Sequence, residues 1–341
     1  MTKSIPEKPR VIIYGPGFYG KHLVRLAHRK GWPIVAAFNR AGDKVGKDLG
    51  RVAEMDEDIG VTVQDCDKAN FSKLEADVAF VIINDRLEDC REAHNRLLSA
   101  GINVITHSSE AYLPYSINKE LADELDQLAK RNNVTFTGTG IWDMSRIWTG
   151  ILLGGSCAEI NGLYHKTLSD LSRASVTIMK QAFGVGLSRQ EFEEQVVNQP
   201  GRIGGLYKII PLQVLTALGY STRDVTEKRE PIILDEPIYC KPMEKEIPAG
   251  HCIGMRIIST VKTVEGVTGE ADMEVRFLKP GELEVMQWTV DGTPESAITT
   301  HREDSVLASA VCMFNRAKDV IAAPPGIQEV HKLGPMKHTA F

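Results

Sequence analysis

The stretch Val11-Ile12-Ile13-Tyr14-Gly15-Pro16-Gly17-Phe18-Tyr19-Gly20 joins a short apolar strand to a Gly-x-Gly-x-x-Gly turn, and it decides the fold. Residues 21–30 follow with apolar side chains at helical spacing. In such a unit the first glycine makes the tight turn, the second lets the backbone approach a phosphate, and the third lets the helix pack on the strand. The pattern predicts a dinucleotide site formed by Gly15, Pro16, Gly17, Phe18, Tyr19 and Gly20. The alternative is an ordinary glycine-rich turn.

The end of the second predicted strand, residues 33–38, indicates which dinucleotide is bound. NAD-selective folds carry a carboxylate near this place, which accepts hydrogen bonds from the ribose 2′-hydroxyl; this chain has Asn39 and Arg40. An amide can donate to a 2′-phosphate and a guanidinium can pair with it, whereas a carboxylate would repel it. We therefore predict that NADP(H) is preferred and leave NAD(H) open. Lys44 and Lys47 would add positive potential, and an exposed turn arginine is the alternative for Arg40.

The composition excludes several classes of protein. The 341 residues suggest two domains, and a hydrophobic content of 43% suffices for two cores. A net charge of −5 argues against nucleic acid or an anionic membrane as the main partner. The six cysteines are scattered without a Cys-x-x-Cys pair, which is typical of reduced thiols. The first residues lack the apolar core of a secretory signal, and no later run is long enough to span a membrane. We expect a cytoplasmic protein.

Strands and helices alternate through the first part of the chain. The predicted strands are residues 61–63, 76–83, 103–106 and 134–136, and the predicted helices are residues 87–100 and 117–132. This alternation predicts the α/β class, with an N-terminal Rossmann domain built on a doubly wound parallel sheet. Ligands bind beyond the carboxyl ends of such strands, so Asn84 and Thr106 are predicted cofactor contacts.

The pattern changes after Trp142. The predicted strands are residues 160–166, 254–263, 269–277 and 283–290, and the predicted helices are residues 144–153, 175–182, 188–198 and 203–218. Long strands in succession predict a largely antiparallel sheet. We therefore divide the chain into a Rossmann NADP-binding domain, residues 1–145, and an α+β domain, residues 146–304. A C-terminal helix within residues 305–325 is predicted to pack back on the first domain.

Five separated stretches together resemble the dihydrodipicolinate reductase-like group, and within it 2,4-diaminopentanoate dehydrogenases and related amine dehydrogenases. They are residues 43–50, 106–110, 138–140, 248–251 and 322–326, so the resemblance covers nearly the full chain. Residues 140–144 depart from the Gly-Val-Asn-Pro-Gly-like run of many relatives. The paired histidines and lysine of the reductase subgroup are missing, and His165-Lys166 is the nearest counterpart. Dihydrodipicolinate reductase activity is therefore not expected.

The resemblance implies a Rossmann domain joined to an α+β substrate and dimerisation domain, a homodimer, and an NAD(P)-dependent reaction. Members reductively aminate a ketone or aldehyde with ammonia, or run the reverse oxidative deamination. The family's key acid maps onto Glu110, which we predict to be catalytic, because a carboxylate can stabilise an iminium and take protons from ammonia or a carbinolamine. The alternative for Glu110 is a helix-capping or surface role. The neighbouring His107 and Tyr112 are further candidates for proton transfer.

An uncharged ketone or aldehyde requires an apolar pocket. The predicted walls, each with ordinary core packing as its alternative, are Trp142, Met144, Tyr164, Leu168, Phe183 and Tyr207. Arg173 is a candidate clamp for a substrate carboxylate, which would favour a diamino acid or keto acid. No metal is predicted, since the histidines lack ligand spacing. Two rival functions stay open: a carbonyl or sugar dehydrogenase without amine chemistry, and a non-catalytic NADP(H)-binding sensor.

Overall fold

The computed structural model describes residues 4–174, 176–198 and 206–339, apart from the side chain of Arg173. The chain divides into two compact units. The first unit contains residues 1–144 and 304–341, and the second contains residues 145–303. Among the helices of the described ranges, none has both the length and the apolar character needed to cross a lipid bilayer.

The first unit is built on a parallel sheet of seven strands. Numbered along the chain, they are β1 (Val11–Tyr14), β2 (Ile34–Asn39), β3 (Val63–Asp65), β4 (Val78–Val81), β5 (Asn103–Thr106), β6 (Thr135–Gly138) and β15 (Gly326–Ile327). Their order is β15-β6-β5-β4-β1-β2-β3. The chain reverses its direction across the sheet at β1, so the switch point lies between β1 and β4, where ligands bind in sheets of this kind.

Helices cover both faces of this sheet. They are α1 (Gly20–Arg29), α2 (Leu49–Val52), α3 (Arg91–Ser99), α4 (Pro114–Ile117), α5 (Lys119–Arg131) and α10 (Ser305–Ala322). One face packs against the apolar sides of α3 and α5. The other face packs against α1 and α10, where Trp32 and Phe314 lie with ring centroids 4.1 Å apart. The strands β1, β4 and β5 are buried at every residue, which explains the continuous apolar sequences of β1 and β4.

A buried ion pair ties α10 to the segment after β6. Arg316 donates from Nε to Asp143 Oδ2 at 2.6 Å and from Nη2 to Asp143 Oδ1 at 2.7 Å. Thr139 Oγ1 also donates to Asp143, at 2.8 Å. Both charged side chains are fully buried, so each needs the other to offset its loss of hydration.

The second unit is built on a mixed sheet of six strands and a small hairpin. The strands are β7 (Glu159–Asp170), β8 (Thr222–Ile233), β9 (Ile238–Cys240), β10 (Lys245–Ile247), β11 (Cys252–Thr263), β12 (Thr268–Arg276), β13 (Glu284–Thr293) and β14 (Ser296–Arg302). The large sheet has the order β14-β13-β7-β12-β11-β8, and only β7 and β12 run parallel among these neighbours. The hairpin joins β9 and β10.

The described helices of the second unit are α6 (Thr149–Gly154), α7 (Val176–Gln181), α8 (Arg189–Phe192) and α9 (Ile209–Ala217). Two glycines permit close packing on the sheet. A Cβ on Gly150 would lie 2.8 Å from Trp288, and one on Gly269 would lie 2.7 Å from Leu215. The helices α6 and α9 therefore approach the sheet where a larger side chain would separate them.

The structure confirms the predicted fold class, a parallel Rossmann sheet with a second, largely antiparallel sheet. A capping box formed by Ser188 and Glu191 begins α8. Residues 203–205 of one predicted helix lie outside the described ranges, and the helix itself begins at Ile209. Five strands of the described ranges were not predicted: β8, β9, β10, β14 and β15. Most of β8 is polar and half-exposed at the edge of the sheet, so its apolar signal is confined to its last residues.

Candidate active site

The glycine turn after β1 closes tightly against the next strands. Gly15 donates from N to Phe38 O at 2.9 Å and has a φ of +93°. A Cβ on Gly15 would lie 2.2 Å from Ile82 O, and one on Gly20 would lie 2.3 Å from Gly15 O. Backbone conformation and close approach therefore both require glycine at Gly15, and close approach requires it at Gly20.

The second half of the turn leads into the N-terminus of α1. Gly17 N donates to Gly15 O at 2.8 Å, which puts Pro16 at the centre of a three-residue turn. The backbone N–H groups that remain available to an anion therefore belong to residues that follow Gly17 in the sequence. The first turn of α1 carries no acidic residue, so no carboxylate there opposes the positive end of the helix dipole. These features fit a dinucleotide pyrophosphate.

Asn39 and Arg40 lie at the carboxyl end of β2, as the sequence predicted. Asn39 donates from Nδ2 to Arg40 O at 2.9 Å, which fixes the amide at the strand end. Arg40 is exposed, and its guanidinium forms no ion pair with the described residues. The guanidinium of Arg40 is therefore available to an anionic ligand.

The loop after Arg40 brings a second cation to the glycine turn. Gly46 N donates to Val63 O at 2.8 Å, and Lys47 N donates to Lys44 O at 3.2 Å, so backbone hydrogen bonds fix the loop. The half-buried Lys44 has its Nζ 3.6 Å from the place of a Cβ on Gly17. Its ammonium pairs with no carboxylate in the described ranges, which suits a phosphate ligand.

Polar side chains connect the segments that follow β4 and β5. Asp85 accepts from Ser108 Oγ at 2.6 Å through its carbonyl and from Ser109 Oγ at 2.9 Å through its carboxylate. Glu110 Oε2 accepts from Leu87 N at 2.7 Å. Glu110 is half-buried at this edge. One oxygen of Glu110 therefore supports the loop after β4, which is the capping role considered from the sequence. The other oxygen takes no part in this contact.

The two predicted contacts Asn84 and Thr106 differ in their surroundings. Asn84 is exposed, and its Oδ1 accepts from Arg86 N at 3.1 Å. Thr106 is fully buried; its hydroxyl accepts from Ser108 N at 3.3 Å and its carbonyl from Thr139 N at 3.0 Å. Asn84 is thus open to a ligand, whereas the buried Thr106 hydrogen-bonds the segments that follow β5 and β6.

His107 lies beside the glycine turn. Its ring centroid is 4.3 Å from that of Tyr19, and its Nε2 is 2.9 Å from Ser309 Oγ on α10. Burial lowers the pKa of His107, although the Asp85 carboxylate acts in the opposite direction. No local sequence pattern indicated Ser309, because it is 202 positions away from His107.

The predicted pocket residues fall into separate environments. In the first unit, Trp142 lies with its ring centroid 5.6 Å from Tyr112, and Met144 accepts at Sδ from Met336 N at 3.3 Å. In the second unit, the guanidinium of Arg146 lies 5.9 Å from the ring centroid of Tyr207.

The other predicted walls have core or sheet-face positions. Tyr164 and Leu168 lie on one face of β7, opposite to His165, which packs on Trp288 with ring centroids 4.7 Å apart. Phe183 is buried. The side chain of Arg173 lies outside the described part of the chain, so the carboxylate clamp stays a prediction, as do the pocket walls.

One cluster in the described ranges has the donor types of a metal site: Asp65, Cys66 and Asp67, whose potential ligand atoms lie within 4.8 Å of one another. Cations already neutralise its carboxylates. Arg96 donates to Asp67 at 3.0 Å, and Lys68 lies 3.3 Å from Asp65. We therefore assign no metal to this cluster.

Comparisons with known proteins agree with this geometry. The family model of the 2,4-diaminopentanoate dehydrogenase C-terminal domain matches residues 149–340. The 2,4-diaminopentanoate dehydrogenase of Acetoanaerobium sticklandii is 25% identical, over 94% of this chain and 92% of its own length.

Solved structures extend the likeness to the whole fold. An amine dehydrogenase from Mycobacterium smegmatis is 28% identical with a TM-score of 0.88, over 98% of both chains. A myo-inositol 2-dehydrogenase from Lactobacillus plantarum is 13% identical with a TM-score of 0.56, over 96% of this chain and 94% of its own, and shares the fold alone. The chain belongs to the 2,4-diaminopentanoate dehydrogenase family.

Proposed function

We propose that this protein is an NAD(P)H-dependent amine dehydrogenase that aminates a small ketone or aldehyde with ammonia, or deaminates an amine or diamino acid in reverse. One observation carries the proposal. In this member of the family, Glu110 follows β5 and the glycine turn follows β1, so both lie at the same edge of the parallel sheet. The 2,4-diaminopentanoate and amine dehydrogenases among its relatives support chemistry on amines.

The residues around the glycine turn fit a nicotinamide dinucleotide, and we propose a preference for NADP(H). Gly15 and Gly20 allow the tight turn that forms the cradle, because added Cβ atoms would collide with Ile82 O and Gly15 O. Arg40 would bind the 2′-phosphate, and Lys44 would lie against the pyrophosphate. When bound, the nicotinamide supplies the hydride of the reduction.

Glu110 would provide the acid and base chemistry. Its carboxylate would attract the cationic iminium and take protons from ammonia or the carbinolamine. The hydrogen bond from Leu87 N fixes the orientation of this side chain, which restricts the direction in which the other oxygen can act. In the reductive direction, one carbonyl group, one ammonia, one hydride and one proton are converted to one amine and one water.

The remaining parts of the proposal rest on family likeness and composition. We propose that apolar walls, including Trp142, Met144 and Tyr207, enclose the substrate, and that two chains form a homodimer. We also propose a cytoplasmic location.

Burial raises the pKa of the Cys90 thiol to about 12 and of the Cys252 thiol to about 11, so both are unreactive, as reduced structural cysteines are.

The test is NADPH oxidation with a panel of small ketones and aldehydes, with and without ammonium at alkaline pH, followed by product identification. Ammonium-dependent oxidation that yields an amine would support the proposal. Equal oxidation without ammonium, yielding an alcohol, would replace it with carbonyl reduction. NADPH binding without turnover of the panel, or of diamino acids and simple amines with NADP⁺ in reverse, would favour the sensor.

A further inference from the structure

His107 occupies a defined place on the edge of the first sheet. It is the first residue after β5, and its N–H donates to Val81 O, at the end of β4, at 2.9 Å. The order β5-β4-β1-β2 puts His107 and Arg40 on opposite sides of the glycine turn. A dinucleotide whose pyrophosphate lies at that turn, with its 2′-phosphate at Arg40, extends its other half across β4 and β5.

Ser309 connects α10 to the imidazole of His107. Ser309 Oγ accepts from Ile141 N at 3.2 Å and lies 2.9 Å from His107 Nε2. The hydroxyl still has its own proton to donate, and Nε2 accepts it in the neutral tautomer that carries the ring proton on Nδ1. That tautomer leaves the Nδ1–H of His107 to a ligand.

The packing around His107 holds this orientation. A Cβ on Gly140 would lie 2.7 Å from Ser309 Oγ and 3.4 Å from His107 Cδ2, so the three groups fit together only because residue 140 is glycine. Tyr19 packs against the imidazole from the glycine turn. Within the described ranges, Nδ1 of His107 has no hydrogen-bond partner. It is not one of the fully buried polar atoms without a partner, so it is accessible to a ligand.

We propose that His107 is a positioning residue for the nicotinamide half of the cofactor, with Ser309 directing its Nδ1–H to a carboxamide or ribose oxygen of that half. The inference rests on the proposed function, because it needs a nicotinamide dinucleotide at the glycine turn. A neutral N–H donor suits these oxygens. The Nδ1–H of His107 would make no contact with the adenine half of the cofactor, which lies toward β2.

Two ligands separate the halves of the cofactor: NADPH, and 2′,5′-ADP, which has the adenine and the 2′-phosphate but no nicotinamide. His107→Phe keeps a ring against Tyr19 and removes both nitrogens. It should weaken NADPH binding, measured by fluorescence titration, roughly tenfold, the effect of leaving one acceptor unpaired. Binding of 2′,5′-ADP, measured by calorimetry, should not change. His107→Asn, which retains an N–H donor, should restore part of the loss, and Ser309→Ala should show a smaller loss with the same ligand selectivity.

The contrary results are distinct. Full NADPH affinity in His107→Phe would overturn the inference and leave the proposed function intact. Equal weakening of both ligands, together with a lower urea midpoint, would also overturn it and assign His107 a purely structural role. Failure of the unmodified protein to bind either NADPH or NADH would instead contradict the proposed function.

Discussion

The two sheets of this protein place their charged residues differently. In the first unit the central strands are buried at every position, so charges gather at the strand ends, where Arg40 and Lys44 have no carboxylate partner in the described ranges. In the second unit the strands alternate, and charges pair across a half-exposed face, as Arg256 does with Asp272 at 2.8 Å. Because ligands of such sheets bind at this edge, the unpaired charges of Arg40 and Lys44 suit an anionic ligand there.

The largest effect is expected where an ion pair is fully buried. Arg316→Met leaves Asp143 buried without its counter-charge and should reduce the free energy of unfolding by about 3–5 kcal/mol. Arg256→Met breaks a pair whose arginine side chain is 40% exposed and should cost about 1 kcal/mol or less. Urea unfolding measures both. Similar losses for the two variants would contradict the contrast between buried and half-exposed pairs.

The next effect concerns chemistry at the strand ends. Glu110→Gln keeps an oxygen that can accept from Leu87 N but removes the base, so turnover should fall by about 10²-fold or more while NADPH affinity is retained. Glu110→Ala also removes the contact to Leu87 and should in addition lower stability. Near-normal turnover of Glu110→Gln would restrict Glu110 to its capping contact.

The two unpaired cations should have distinguishable effects on cofactor binding. Arg40→Ala should weaken NADPH by about 10- to 100-fold and leave NADH nearly unchanged, because a charge-assisted bond to the 2′-phosphate is lost. Lys44→Ala should weaken both cofactors equally, because both contain the pyrophosphate. Titration of each variant with both cofactors measures this. If Arg40→Ala weakened NADH as strongly as NADPH, the assignment of the 2′-phosphate would be wrong.

The last effect depends on pH and concerns a polar group inside the first unit. His94 is fully buried, neither ring nitrogen has a hydrogen-bond partner among the described residues, and burial lowers its pKa to about 3. Below an unfolded pKa of about 6.5, the unfolded chain binds a proton that the folded chain excludes, so stability falls by about 1.4 kcal/mol per pH unit as the pH decreases toward 3.

Replacement of His94 should remove that contribution. The difference in unfolding free energy between His94→Leu and the unmodified protein, measured from pH 7 to pH 5, should grow in favour of the variant. His28→Leu, at an exposed position, provides the control. A difference independent of pH would show that His94 accepts a proton in the folded state.

The sequence predicted the first unit better than the second for a physical reason. Strands such as β1 are short apolar runs that need no partner to be recognised, and the structure has β1 at the predicted residues. The edge strand β8 is mostly polar, and only its pairing with β11 defines it. At the site, the glycine turn and Arg40 could be located from local sequence. The approach of Lys44 to Gly17 and of Ser309 to His107 depends on tertiary packing, which spacing along the chain does not encode.

The central claim is that ammonia is a substrate at the edge of the first sheet. It is tested most directly by supplying ammonium that carries the heavy nitrogen isotope, with NADPH and an accepted carbonyl compound, and measuring the label in the product. The account predicts one labelled amine for each NADPH oxidised, and loss of this product in Glu110→Gln with NADPH binding retained. An unlabelled alcohol formed at the same rate with and without ammonium would contradict it.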